Sequence, residues 1–130
     1  MIVADSSYIA EGILTDIRML RSERMLAPSL AVYEVAGAIW KHQAVLGRIL
    51  EGEKFLRVLS DLLRTNELLT IEPDVGLLLD AYAIAVSQRV HPHDAIFVAL
   101  ALRNGLELVT LDDAQKRVYE GARSPGRVGP

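Results

Sequence analysis

The stretch "HPHDAIFVALALRNGLELVTLDDAQ", residues 91–115, decides the fold. An apolar helix is predicted from about Asp94 to Asn104, and Gly105 ends it because glycine readily adopts the left-handed conformation found after helices. "LELVT" is then typical of a buried strand, and a short helix is predicted after it. A strand between two helices is one unit of an alternating pattern, and strands separated by helices predict an α/β domain with a mostly parallel sheet, because parallel neighbours need crossover connections.

The same alternation of short apolar strands and helices extends to the N-terminus. "MIVADSS" contains a short buried strand, Ile2 to Ala4, and its serines are candidates to cap a helix that begins at about Tyr8. A second short apolar piece precedes Pro28, and "LLTIEP" is predicted to be a strand closed by Pro73. Asp74 is a candidate cap for the helix that follows. With "LELVT", the pattern predicts four strands separated by helices.

Length and composition favour one compact domain. The 130 residues are 51% hydrophobic, which supplies enough apolar material for one core. We expect this domain to occupy residues 1–120. The stretch "GARSPGRVGP" lacks apolar periodicity, so residues 121–130 are predicted to form a flexible C-terminal tail.

Composition also excludes several kinds of site. The absence of cysteine removes disulfides, thiolate metal sites and cysteine nucleophiles, so any metal must be held by oxygen or histidine. The formal charge of −3, from 17 acidic and 14 basic residues, by itself argues against a broad basic surface for nucleic acid. If four of the carboxylates bind divalent cations, 13 acidic residues remain against 14 basic ones, so the net charge does not decide the question. Asp5, Glu11 and Asp16 interrupt the N-terminal segment where a signal peptide would be apolar. We expect a cytoplasmic protein that does not bind membranes.

Four acidic residues lie close to the predicted strands. Asp5 ends the first strand, Glu34 follows the second, Asp112 follows the fourth, and Asp94 opens the helix before that strand. In open α/β sheets, ligands bind at the C-terminal ends of the strands. Carboxylates gathered there repel one another unless they are protonated, separated by water or neutralised by a cation. Because Mg²⁺ prefers oxygen ligands and keeps several waters, it would relieve such repulsion, and a metal-bound water can then attack a phosphodiester.

Four short segments carry a family resemblance. "IVADSS", "APSLAVYEV", "HPHDAIFVALA" and "LVTLDDAQ", in this order, resemble the four signature regions of the PIN-domain nucleases, and most closely those of the VapC-type ribonuclease toxins of toxin–antitoxin pairs. The resemblance extends from Ile2 to about Tyr119. It implies a PIN-like α/β fold with a central, mostly parallel sheet of four to five strands flanked by helices. Carried over motif by motif, the acidic residues of the family fall on Asp5, Glu34, Asp94 and Asp112, with Ser6, Thr110 and Asp113 as supporting residues.

The resemblance implies a function as well as a fold. In this family the acidic residues gather around one or two Mg²⁺ ions, with Mn²⁺ as a substitute, and cleave RNA. The implied protein is a Mg²⁺-dependent endoribonuclease, a homodimer, and the partner of a cognate antitoxin. Two features depart from the family pattern. His93 stands where tyrosine is common, and the C-terminus lacks a clear final apolar strand, which puts the fifth strand in doubt.

Several candidate residues have a structural interpretation beside the functional one. Asp5 and Asp94 stand at helix starts, where a carboxylate accepts backbone N–H bonds. One residue of the pair Asp112 and Asp113 is expected to be a ligand and the other a cap, with Asp112 favoured as the ligand by the motif. Ser6 and Thr110 either orient ligands and water or make turn hydrogen bonds.

A histidine metal site is the alternative to a carboxylate site. His91 and His93 are similar to the start of the zinc hydrolase motif H-x-H-x-D-H. Here the aspartate directly follows the second histidine, the last histidine is missing, and only His42 remains elsewhere. The carboxylate site is therefore favoured.

Charged and apolar surfaces leave two more questions open. Arg18, Arg21 and Arg24 recur every three residues, which is typical of a stripe that receives phosphates or of a solvated helix face. The leucine-rich helices of residues 55–63 and 77–86 supply either core or an oligomer interface.

Two other classes of function compete with the nuclease. A phosphoacceptor signalling domain also carries acids at the strand ends of a parallel sheet, although receiver domains place an acidic pair after the first strand, where this chain has "DSS". A catalytically silent PIN-like binding module would keep the fold without the chemistry. Phosphorylation by a small acyl phosphate would support the first, and absence of cleavage by the wild type would direct attention to the second or to a missing specific target.

Overall fold

A computed structural model describes residues 1–124 of the protein. The α/β fold expected from the sequence is confirmed. Its four strands, all parallel, are β1 (Ile2–Ala4), β2 (Met25–Pro28), β3 (Leu68–Ile71) and β4 (Leu108–Val109). Its helices are α1 (Ser6–Thr15), α2 (Arg18–Arg21), α3 (Leu30–Trp40), α4 (Gly52–Arg64), α5 (Val75–Gln88), α6 (Pro92–Asn104) and α7 (Asp113–Ala122), and a π-helical turn, Lys41–Val45, extends α3.

The order of the strands reverses at one position in the sheet. The order is β3-β2-β1-β4, so the chain moves outward from β1 to β3 and then returns to the other side of β1. Val3 pairs with Leu26 on one side and with Leu108 on the other. Strand order therefore reverses between β1 and β4, which is where open α/β sheets bind ligands. Asp5 follows β1 and Thr110 follows β4, so both residues lie at this position.

Helix α6 forms the centre of the core. Seven consecutive residues of this helix, 95–101, are buried, and Phe97 is among the largest fully buried side chains. The helix contacts β1, β2, α5 and α7. A helix that is apolar on all sides must be covered on all sides, which explains why the run "AIFVALA" shows little amphipathic pattern. Burial of α6 fixes the position of its N-terminus, and hence of Asp94, relative to the sheet.

Three helix ends confirm or correct the sequence predictions. Asp74 caps α5, because its Oδ1 accepts a hydrogen bond from the Leu77 N–H at 2.7 Å. Gly105 ends α6 with a φ of 62°, as predicted. The predicted start of α6 at about Asp94 is two residues late, because the helix begins at Pro92 and is capped by His91, whose Nδ1 accepts from the His93 N–H at 3.0 Å.

The start of α1 also differs from the prediction. The helix begins at Ser6 and not at about Tyr8, and Asp5 occupies the N-cap position without a side-chain capping bond. The serines do not cap the helix, because Ser6 and Ser7 donate their hydroxyl hydrogens to carboxylates. Carboxylates are stronger acceptors than neutral groups, and the fold brings two of them within reach.

The C-terminal predictions are only partly covered by the structure. Helix α7 extends to Ala122, so Gly121 and Ala122 are helical. Residues 125–130 of the predicted tail lie outside the described residues, and residues 1–124 contain four strands. Within the same part of the chain, no helix is long and apolar enough to cross a membrane.

Candidate active site

Asp5 is a buried carboxylate held by two hydroxyl groups. The residue is 8% exposed, and its backbone N–H donates to the Val109 carbonyl at 2.9 Å, which joins the ends of β1 and β4. Its Oδ2 accepts from the Ser7 hydroxyl at 2.8 Å and from the Thr110 hydroxyl at 2.7 Å. Two hydroxyl donors on one oxygen compensate for the lost hydration and hold the carboxylate in one orientation. The other oxygen, Oδ1, has no hydrogen bond within residues 1–124.

The same hydroxyls organise the turn between β4 and α7. Thr110 Oγ1 accepts from the Asp112 N–H at 3.0 Å, and Ser7 Oγ accepts from the Leu111 N–H at 3.1 Å. The two hydroxyl oxygens lie 3.2 Å apart. The turn that carries Asp112 is therefore attached to the residues that hold Asp5. The predicted supporting residue Thr110 has a contact with the site, and Ser7 is a site residue that the sequence interpretation missed.

Glu34 lies on α3 and is half-buried between a serine and a histidine. Its Oε1 accepts from the Ser6 hydroxyl at 2.6 Å, and its Oε2 lies 3.2 Å from His93 Nδ1. Burial raises the pKa of Glu34, and the negative charges of Asp5 and Asp94 raise it further, while the Ser6 hydrogen bond and His93 lower it. Three of the four predicted acids therefore lie close enough to interact electrostatically.

Asp94 is the exposed acid of this group, and its side chain has no partner in the part of the chain that the structure describes. It lies in the first turn of α6, and its side chain makes no hydrogen bond or ion pair within residues 1–124. The capping role considered for Asp94 belongs to His91. A carboxylate without a structural partner can bind a ligand without disturbing the fold.

Asp112 and Asp113 divide their roles differently from the prediction. Asp112 Oδ1 caps α7 by accepting from the Ala114 N–H at 2.8 Å and the Gln115 N–H at 3.3 Å. Asp113 is exposed, with Lys116 Nζ 3.7 Å from its Oδ1. The cap of the pair is thus Asp112, the residue favoured as a ligand. Because a carboxylate has two oxygens, capping leaves Oδ2 of Asp112 for a second role.

The oxygen-rich donor set fits a hard divalent cation held partly through water. Within residues 1–124, no three histidine, aspartate or glutamate side chains converge closely enough to hold an ion together. Mg²⁺ is commonly bound by one or two carboxylates and keeps several waters, and this coordination suits an open group of acids. The two histidines do not offer their Nδ1 atoms to one ion, because that of His91 caps α6 and that of His93 faces Glu34.

The predicted basic stripe is engaged in surface contacts. Arg18 pairs with Asp16 at 3.1 Å and Arg21 with Glu67 at 3.2 Å, while Arg24 donates to the Asn66 carbonyl at 3.3 Å. These groups are exposed, and such pairs contribute little stability. These contacts are compatible with both interpretations of the stripe, a phosphate-binding surface and a solvated helix face.

Comparison with known proteins gives three similarities. The family model described as "PIN domain" matches residues 4–121. "Ribonuclease VapC3" of Pyrobaculum aerophilum is 35% identical over 118 residues, which cover 85% of this chain and 88% of that protein. A crystal structure of PAE2754 from Pyrobaculum aerophilum superposes with a TM-score of 0.72 at 23% identity, over 92% of this chain and 84% of that chain. At this identity the structural likeness concerns the fold alone.

Proposed function

Because this chain belongs to the PIN-domain family, we propose that it is a Mg²⁺-dependent endoribonuclease that hydrolyses RNA phosphodiester bonds. The observation that carries the proposal is the proximity of three acids: the adjacent residues Ser7 and Ser6 hold Asp5 and Glu34, and the negative charges of Asp5 and Asp94 help to raise the pKa of Glu34. The similarity to a protein named as a ribonuclease supports RNA as the substrate. The proposed catalytic and metal-holding residues are Asp5, Glu34, Asp94 and Asp112, with Ser6, Thr110 and Asp113 as supporting residues.

The proposed roles of the acids follow from their surroundings. A bound Mg²⁺ or Mn²⁺ would acidify a water molecule and offset negative charge on the phosphoryl oxygens. The Asp5 carboxylate is held in one orientation because Ser7 and Thr110 bind one of its oxygens. The raised pKa of Glu34 suits this carboxylate to accept a proton, since it lies closer to the working pH than that of an ordinary carboxyl group. Asp94 is exposed, and its carboxylate has no partner within residues 1–124.

The family also suggests partners, which belong to the same proposal. The protein would be the cytoplasmic toxin of a type II toxin–antitoxin pair, inhibited by a cognate antitoxin. A homodimer is supported by α5, where four large apolar residues at helical spacing are exposed: Val75, Leu79, Tyr82 and Val86. Exposed apolar faces of this kind mark protein interfaces. The leucine-rich α5 thus supplies surface as well as core, and α4 buries Leu59 and Leu62 while it exposes Leu56.

Cleavage of a structured RNA by the wild type and by Asp94→Asn tests the proposal. Each protein is assayed with Mg²⁺, with Mn²⁺ and with a chelator. Asp94→Asn should lose cleavage while keeping its unfolding free energy, because the side chain has no structural partner within residues 1–124. Asp80→Asn, at an exposed position on α5, is the matched control and should cleave normally.

Four results distinguish the alternatives. Cuts that need the metal and are absent from Asp94→Asn support the nuclease. Equal cuts by both proteins, or cuts that survive the chelator, contradict it. Binding of RNA by both proteins without cleavage under any condition favours the silent binding module, and stable phosphorylation by a small acyl phosphate favours the signalling domain.

A further inference from the structure

Gln115 is buried at the edge of the candidate site and belongs to none of the roles assigned so far. Within residues 1–124, the buried polar or charged side chains are those of Asp5, Thr110 and Gln115, with relative exposures of 8%, 5% and 4%. The first two bind each other in the site. Gln115 lies in the first turn of α7, on the side that packs against α6.

This residue contacts two of the proposed acids at once. Its Nε2 donates to the backbone carbonyl of Asp94 at 2.9 Å, and its own backbone N–H donates to Asp112 Oδ1 at 3.3 Å. Asp94 lies in α6 and Asp112 is the N-cap of α7, and no hydrogen bond joins them directly within residues 1–124. The single side chain of Gln115 therefore spans the gap between the first turns of α6 and α7.

The amide oxygen of Gln115 indicates that the fold does not need glutamine at this position for its stability. Gln115 Oε1 is buried and has no hydrogen-bond partner within residues 1–124. An unpartnered buried acceptor destabilises the folded state. Methionine has a similar length and no such acceptor, so it would fill the same space without that cost. Turning the amide over would place Oε1 against the Asp94 carbonyl oxygen, and so the hydrogen bond fixes its orientation.

We propose that Gln115 is a positioning residue that sets the spacing of Asp94 and Asp112 through its Nε2 hydrogen bond, an inference that rests on the proposed nuclease function. The bond acts on the backbone of Asp94 and leaves its carboxylate free. Groups that orient metal-holding residues commonly contribute about 10- to 100-fold to metal affinity or activity. Loss of the bond loosens the first turn of α6 against α7 and disturbs the geometry of the acids.

The test compares the wild type with Gln115→Met and Gln115→Leu. Both variants should unfold at a temperature equal to or above that of the wild type, because the unpartnered acceptor is gone. Both should lose at least about 10-fold in kcat and in Mn²⁺ affinity, with KM for RNA little changed, since the Gln115 side chain is buried. Gln88→Met, a substitution on α5 at a glutamine without a side-chain hydrogen bond within residues 1–124, is the matched control.

Mn²⁺ affinity measured by calorimetry separates this inference from the nuclease proposal. If the wild type cleaves RNA and Gln115→Met matches it in kcat and in Mn²⁺ affinity, the positioning role is wrong. If the wild type does not cleave RNA but binds Mn²⁺ more tightly than Gln115→Met, the positioning role stands and the nuclease proposal fails. A wild type that neither cleaves RNA nor binds Mn²⁺ overturns both. Activity that falls only in step with unfolding temperature also overturns the inference.

Discussion

Replacement of Thr110 by valine should destabilise the protein well beyond the usual effect of removing a hydroxyl. Thr110 is buried, and its Oγ1 donates to Asp5 Oδ2 at 2.7 Å while it accepts from the Asp112 N–H at 3.0 Å. Valine has nearly the same shape but can make neither bond. The buried carboxylate then keeps Ser7 as its remaining hydroxyl donor, and the Asp112 N–H loses its acceptor.

The size of this destabilisation follows from the negative charge of Asp5, the hydrogen-bond partner of Thr110. A hydrogen bond to a charged group contributes about 1.5 to 3 kcal/mol, so we expect the free energy of unfolding to fall by about 2 to 3 kcal/mol. For a chain of this length the entropy of unfolding converts that loss into a decrease of about 7 to 11 °C in Tm. Cleavage of RNA should fall as well, because Asp5 is then less firmly oriented.

Urea denaturation and calorimetry of purified proteins measure this effect. Thr70→Val is the matched control, because Thr70 lies exposed on β3 and makes no side-chain hydrogen bond within residues 1–124. Thr110→Ser keeps the hydroxyl and should recover most of the lost stability. An unfolding free energy for Thr110→Val within about 0.5 kcal/mol of Thr70→Val would refute the reasoning, since that is the size of an ordinary surface effect.

Two further predictions concern the other acids. Burial raises the pKa of Glu34 above its usual 4.5. The folded state therefore binds the proton of the Glu34 carboxyl group more tightly than the unfolded state does, and the protein loses stability as the pH rises above 4.5 and this group ionises. In metal-free buffer, Glu34→Gln should therefore gain stability relative to the wild type between pH 4 and pH 7 in urea denaturation, and a difference that does not change with pH would contradict the assignment. Asp112→Ala should lose about 1 kcal/mol of unfolding free energy with its cap, whereas Asp112→Asn should keep it, because asparagine caps as well as aspartate. Both variants should lose cleavage, and full activity in Asp112→Asn would restrict Asp112 to capping.

The fold was predictable because its determinants are local. Asp74 and Gly105 act on the helices next to them, and the apolar composition of α6 is enough to predict that this helix is buried. The approximate placement of the acids was predictable for the same reason, since a residue that follows a parallel strand lies at a known edge of the sheet. Motifs in a fixed order then assigned the family, which the match over residues 4–121 confirms.

Sequence alone determined which acids stand near the strand ends, but only the tertiary structure decided what each neighbouring polar group does. Ser6 reaches Glu34 across 28 positions, and Thr110 reaches Asp5 across 105. Local rules favoured capping for the serines, because partners so distant in sequence cannot be identified before the chain folds. Packing of α6 and α7 likewise gave Gln115 its bond to Asp94. Hydrogen bonds need contact within about 3 Å, and only the assembled sheet and helices create that proximity.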